Sequence, residues 1–430
     1  MNINFNLTYS IPMKNTSFLK IIAPSLTAIL MAAPAYGAPS SDNRDFPQSY
    51  SGTMLPYDFS RTDNVVPWGP EMWPVYINYV ARHGARFLSS EKKIDKMRRV
   101  LEEARKEGQL SKKGEAFLRL IERVDSATDG RWGALNRVGI AEEKRLAREM
   151  TEIAPQLLEK GKIKAIATYV PRVVLTMYEF CHELACISSQ LEISTSEGHQ
   201  FDPLLRYFTT DSAYVSFLSN PDWKNNYKAY AERMLPTSPA ASMFTIGKEN
   251  KELQKLSLDA YGILQSLDAA GLSADIGEWF DPLEYRHCWE VSNLEHYYER
   301  SASRFSDIPT NSAKPLLKSI IASTDAHLQG RTDEVAFLRF GHAETLLPLF
   351  ALMRLPGAYA PEADPDDLAR VWNDSDISPL GANLMIVVLK NEDGENFVAM
   401  RLNGKWVKTD GKEVVGWGAL KDLWISYLNN

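Results

Sequence analysis

Two arginines flank a histidine and a glycine in Arg82-His83-Gly84-Ala85-Arg86. A third arginine, Arg172, follows Pro171, and His342-Ala343-Glu344 brings a second histidine close to a carboxylate. Residues of these types suit phosphate-ester chemistry. A phosphate monoester dianion repels nucleophiles, so its oxygens must be neutralised, a nucleophile placed in line, and the leaving alkoxide protonated. Arg82, Arg86 and Arg172 offer forked donors for the oxygens. Neutral His83 can attack phosphorus to give a phosphohistidine, and His342 can donate a further hydrogen bond. Glu344, kept protonated by acid solution or partial desolvation, can act as general acid and then as base for water. No step requires a metal or other cofactor, and no cysteine or histidine spacing resembles a zinc site.

The elements that must position these groups repeat one pattern. Val75 to Val80 is an apolar, β-branched and aromatic run that reads as a buried strand. After it, Ile94, Met97, Val100, Leu101 and Ala104 recur at helical spacing, with Ser89 or Ser90 available as the cap. Ile163 to Thr168 reads as a second strand, and Val173, Met177, Phe180 and Leu184 as the helix behind Pro171 and Arg172. Val335 to Phe340 is a third, followed by Gly341, the His-Ala-Glu triplet and an apolar helix that Pro348 should kink. Three strands thus each deliver polar residues to a helix start. In α/β sheets, that end of the strands is where anions meet helix N-termini. Leu384 to Leu389 and Phe397 to Leu402 read as a hairpin around Asn391 to Gly394, with a second tight turn at Asn403-Gly404.

The 430 residues are enough for one large domain with an insertion, and 44% hydrophobic with 24% charged residues is ordinary globular composition. Lys14 and Lys20 with the apolar run Ile21 to Ala33 and the small residues up to Ala38 read as a secretory signal peptide over 1–37. That run is short for a membrane anchor. Its removal leaves 46 basic and 55 acidic residues, a charge near −9, so an anion must bind at a local basic site and a nucleic-acid partner is disfavoured. The expected location is periplasmic or extracellular, with no membrane attachment once the leader is gone. Cys181, Cys186 and Cys288 are an odd set, with either of the first two free to pair with the third. The basic run Lys92 to Arg99 is either a solvated face or the rim of the cleft. Residues 190–314 read as a helical insertion over the sheet, within which Arg206 is either a cleft residue or a structural one. His182, His199, His287, His296 and His327 have no partner at telling spacing.

Arg82-His83-Gly84-Ala85-Arg86 resembles the signature of the histidine acid phosphatases, and His342-Ala343-Glu344 is similar to the branch containing the multiple inositol polyphosphate phosphatases. The resemblance extends to Arg172 and spans most of the mature chain. It implies an α/β sheet flanked by helices, formed by 38–189 and 315–430, with an all-helical cap at 190–314. It further implies His83 as nucleophile, Glu344 as proton donor, and Arg82, Arg86, Arg172 and His342 as phosphate ligands. The implied substrate is phytate or another inositol polyphosphate. Ser89 falls where the family often has a hydroxyl touching substrate. One position departs: the family's proline two residues after the second arginine is Leu88 here, which puts loop rigidity and substrate preference in question more than activity.

Other readings remain in view. A broad or sugar-phosphate acid phosphatase of the same superfamily would differ in whether its cleft tolerates a highly charged ring, and the run Lys92 to Arg99 favours the polyanion. The phosphoglycerate mutase relatives share Arg-His-Gly, but the signal peptide argues against a cytoplasmic enzyme. An exported module that binds phosphate esters without turnover would keep the cleft and lack catalysis. A metallohydrolase using His83 and His342 would need carboxylate ligands that do not accompany them.

Overall fold

The computed structural model describes residues 46–429; the proposed signal peptide lies outside them. Eight strands form one sheet: β1 (Met72–Arg82), β2 (Lys160–Ala167), β3 (Gln190–Glu197), β4 (Glu334–Gly341), β5 (Asn383–Asn391), β6 (Asn396–Leu402), β7 (Lys405–Trp406) and β8 (Val414–Gly416). Their order is β3-β2-β4-β1-β5-β6-β7, with β8 also paired to β6. β1 runs parallel to β4, and β2 parallel to both β4 and β3, whereas β5 and β6 are antiparallel additions. The strands read from sequence at 75–80, 163–168 and 335–340 are all present, and the expected hairpin is β5–β6. The chain therefore has the α/β architecture expected of it.

Helices cover both faces. On one, α3 (Arg137–Ile153) and α4 (Pro171–Ile187) pack Leu146, Met150, Val173, Met177 and Phe180 against Ile77, Tyr79, Ile163 and Leu338. On the other, Leu316, Leu317 and Ile320 of the helix Lys314–Leu328 and Trp424 of the C-terminal helix meet Tyr76, Val80, Ile386 and Val388. Alternate residues of β1 thus face opposite layers, as a two-residue side-chain period requires. Each fully buried Leu, Ile or Phe contributes on the order of 1.5–3 kcal/mol, so the centre of the sheet is its most firmly held part.

Two sequence expectations change. Residues 190–197 do not begin a helical insertion: they form the edge strand β3, in which Leu191, Ile193 and Thr195 alternate with exposed polar residues. The helix α1 (Lys92–Lys106) starts one residue too late for Ser90 to cap it, its N-cap being Glu91 with no side-chain bond. The helix Ala343–Leu352 continues past a buried Pro348. Beyond β3 the chain is helical as far as Leu328, but these helices do not build their hydrophobic core alone. Ile94, Met97 and Leu101 of α1 and Phe117 and Ile121 of α2 (Lys112–Thr128) share it with Met243, Leu256, Tyr261 and Trp289. All three cysteines are free thiols, and among the described residues no helix is long and apolar enough to cross a membrane.

Candidate active site

Strand register gathers the candidate groups. Arg82 of β1 stands opposite Gly341 of β4, and Phe340 of β4 opposite Ala167 of β2. The next residues, His83, His342 and Thr168, therefore leave three neighbouring parallel strands at one level, along the carboxyl edge of the sheet. Backbone bonds continue the ladder there: His83 N donates to Gly341 O at 3.1 Å, and Gly381 N to His83 O at 3.0 Å.

His83 is 2% exposed. Its Nδ1 lies 3.0 Å from the Gly84 carbonyl oxygen, which can only accept, so the ring proton sits on Nδ1 and Nε2 keeps its lone pair. Burial and then the charges of Arg82, Arg172 and Arg86 hold its pKa well below the usual histidine range. Both effects favour the neutral ring. The turn beyond it is set by close approach: a Cβ on Gly84 would lie 2.9 Å from Gly139 O and 3.0 Å from Glu143 Oε1. Glu142, next to Glu143 on α3, accepts from Ala85 N at 2.7 Å and Tyr57 N at 2.9 Å, pinning the loop.

The arginines are fixed from behind and unsatisfied in front. Arg82 Nη1 donates to the carbonyls of Thr53 at 2.6 Å and Ser378 at 2.7 Å, and Arg86 Nη1 to that of Phe87 at 2.8 Å. The Nε atoms of Arg82, Arg86 and Arg172 are buried without a hydrogen-bond partner, whereas Arg206 Nε forms an ion pair with Asp202 Oδ1 at 3.8 Å. Buried donors are seldom left so, and an anion is the kind of ligand that would satisfy them. Burial first, and then neighbouring arginines, lower the pKa of Arg82 to about 9 and of Arg86 to about 10. A bound dianion would relieve that mutual repulsion.

His342 joins the group. Its Nδ1 is 3.4 Å from Arg172 Nη2, and its Nε2 is 3.1 Å from the buried Thr168 hydroxyl. Arginine only donates, so here Nδ1 accepts and Nε2–H is given to Thr168. Burial outweighs the opposing pull of Glu344 and moves His342 down to about 3. Glu344, two residues on, forms an ion pair with Arg300 at 3.2 Å. Burial alone would raise its pKa, but Arg300, His342, its own backbone N–H and Arg82 together hold it well below the ordinary carboxylate range.

Arg206 lies at the same cluster, its guanidinium 4.8 Å from the Tyr169 ring centroid and 5.3 Å from that of Phe208, whose ring is 5.8 Å from His342. Ser89 is exposed on the adjoining loop. A Cβ on Gly133, which has φ +71°, would lie 3.3 Å from Ser89 O and 3.9 Å from Arg172 Nη1, so Ser89 borders the arginines. Leu88, where a proline was expected, is buried, and its carbonyl accepts from Gly133 N at 2.6 Å while Phe87 N donates to Ala134 O. Hydrogen bonds thus restrain this loop without the ring. Two members of the basic run of α1 are ion-paired, Lys96 with Asp259 and Arg98 with Asp95 and Asp125, while Lys92 and Lys93 are exposed.

Thr168, Glu142, Glu143 and Arg300 were missed by sequence reasoning. The first lay within the expected second strand, and the alignment of strand ends is the signal that would have found it. Arg300 ends a long helix far along the chain from Glu344 and offers no local signal.

Residues 207–403, which include His342 and Glu344 but not the Arg82–Arg86 segment, match the family model of the histidine phosphatase superfamily (branch 2). A search of curated protein sequences returned no match. Among solved structures, this chain is similar to the Bifidobacterium longum multiple inositol polyphosphate phosphatase in complex with inositol hexasulfate, at TM-score 0.76 and 16% identity over 87% of this chain and 97% of that one. The same enzyme in complex with phosphate matches at TM-score 0.76 and 16% identity, over 88% and 98%. The phytase from D. castellii matches at TM-score 0.61 and 12% identity, over 89% and 85%. At these identities the likeness speaks for the fold. Residues 207–403 are thus similar to branch 2 of the histidine phosphatase superfamily, and the fold of the chain agrees with that likeness.

Proposed function

We propose that this protein is an exported phosphomonoesterase that hydrolyses inositol polyphosphates, phytate among them, through a phosphohistidine on His83. The observation that carries the reading is a buried histidine with Nδ1 anchored on Gly84 O, beside Arg82, Arg86 and Arg172, each of which has a buried Nε–H without a hydrogen-bond partner. Arg82, Arg86, Arg172 and His342 take the phosphate oxygens, with Arg206 and Ser89 at the substrate's periphery. His83 Nε2 attacks phosphorus as the ester P–O bond breaks, and Glu344 gives its proton to the departing oxygen. Water then attacks the phosphohistidine, Glu344 accepts its proton, and phosphate leaves with His83 neutral again. His342 is well suited to its part, because the Thr168 hydroxyl can either accept from Nε2–H or donate to bare Nε2. Replacing Arg172 by a phosphate oxygen at Nδ1 then needs only a proton shift and a hydroxyl rotation. The three cationic ligands, together with the solved relative in complex with inositol hexasulfate and with phosphate, support the substrate class.

The test is phosphate release from phytate at acid pH with chelator present, with products resolved by ion-exchange chromatography. Release in several isomeric products, label retained on the protein after an alkaline quench, and a loss of at least about 10³-fold in His83→Ala are expected. The neutralisation of Lys96 and Arg98 in the α1 basic run by Asp259, Asp95 and Asp125 favours a second reading, a broad phosphatase of small esters. Faster turnover of a sugar phosphate than of phytate would select it, and no release from either would sink both. Export is tested by sequencing the mature N-terminus, expected near residue 38.

A further inference from the structure

The helix Pro282–Arg300 buries Val291, Leu294, Tyr297 and Tyr298, so its last residue is held on a rigid support. That residue, Arg300, is 14% exposed and places Nη2 3.2 Å from Glu344 Oε1 and 3.6 Å from Glu299 Oε2. Resting on the reading of Glu344 as proton donor, we infer that Arg300 is a positioning residue that keeps Glu344 ionised and aimed in the ligand-free protein, so that Glu344 takes its proton from solvent only as a phosphate dianion enters. A carboxyl that must protonate an alkoxide is otherwise oddly placed in an ion pair.

Glu344 faces charge from every side. Arg300 and Glu299 approach from the long helix, His342 from its own element, Arg82 from the end of β1, Arg86 from the loop after it, and Arg172 from α4, with the Tyr207 and Tyr214 phenols behind. In the ligand-free protein the cations outnumber the carboxylates and the proton is expelled. A dianion on Arg82, Arg86 and Arg172 cancels their field at Glu344, and its own charge then favours the neutral acid. The proton gained is the one later given to the leaving oxygen. Loading of the acid is thereby tied to occupancy of the phosphate site.

Sulfate is the probe, since it remains a dianion at working pH and brings no proton of its own. Calorimetric titration at about pH 5, in buffers of different ionisation enthalpy, counts protons taken up per sulfate bound. The wild type is expected to take up about one and Glu344→Gln almost none. Arg300→Lys should retain the uptake. Arg300→Met should lose it, because Glu344 without its cation is already protonated. Should Arg300→Met fail to fold, the wild type, Glu344→Gln and Arg300→Lys still decide the matter. Undiminished uptake in Glu344→Gln would assign the proton to His83 or His342 and overturn the inference, as would undiminished uptake in Arg300→Met. Sulfate binding without uptake in the wild type would overturn it while leaving the phosphatase reading intact. Absence of sulfate binding would remove the anion site and both readings with it.

Discussion

Glu143 makes the fold's stability depend on pH in a way that one substitution should expose. Its carboxyl is fully buried on α3, against the Gly84 turn, and neither oxygen has a hydrogen-bond partner. Burial, with the neighbouring Glu142 adding to it, pushes its pKa well above the ordinary value of 4.5. The folded protein therefore binds this proton at pH values where the unfolded chain has lost it. Below the unfolded value both states are protonated and the group is neutral to stability. Above it the unfolded chain gains by ionising, so stability falls with rising pH by about 1.4 kcal/mol per unit until the folded pKa is reached. Glu143→Gln keeps the shape and removes the titration. Any cost of burying the amide is a constant offset. The variant should thus gain on the wild type by about 1.4 kcal/mol for each pH unit above roughly pH 5, about 2 °C in Tm for a chain of this length. His83 and His342, kept neutral by the fold, contribute with the opposite sign, losing stability as pH falls below their unfolded value of 6.5. Their effect is common to both proteins and cancels in the difference. Urea unfolding of wild type and variant at half-unit steps from pH 4.5 to 7.5 measures it, with phosphate release as a control expected to change less than about twofold. A difference in stability that does not vary with pH would show that Glu143 is ionised in the fold and refute the reasoning.

The turn itself gives another prediction. Gly84→Ala should push Cβ into Gly139 O, costing about 1–3 kcal/mol by overpacking; because His83 rides on this turn, kcat should fall more than the unfolding midpoint implies, whereas equal activity would mean that the loop yields freely. Thr168→Val removes the hydroxyl at His342 Nε2 while keeping the shape. It should lower kcat/KM about tenfold, the equivalent of one hydrogen bond at about 1.4 kcal/mol, and steady-state kinetics showing no change would detach His342 from phosphate.

Much of the site was legible because each part announces itself locally. The run before Arg82 has the β-branched and aromatic content of a buried strand, and Pro171 and Gly341 mark where the next two helices begin. What escaped lacks such marks. β3 is an exposed edge whose alternation carries only two strongly apolar residues, Leu191 and Ile193, so it reads as loop. The charges of α1 looked free in sequence, but their carboxylate partners, Asp125 and Asp259, come from other helices. Arg300 matters through a contact that only the tertiary fold creates. Arg206 had two equal readings, and both hold in part: it pairs with Asp202, and it lies over Tyr169 and over Phe208, whose ring adjoins His342.

The helical layer over the sheet draws its core from two separated stretches of chain, α1 and α2 before β2 and the helices after β3. It is consequently not a cassette. A graft of residues 202–311 from a relative would leave Ile94, Met97, Leu101, Phe117 and Ile121 facing partners they were not matched to, and recombination at the ends of that segment would tend to yield unstable hybrids. Change in substrate range along this lineage is thus expected to proceed by paired substitutions across the two stretches, or by single ones at side chains such as Arg206 that lie outside the shared core.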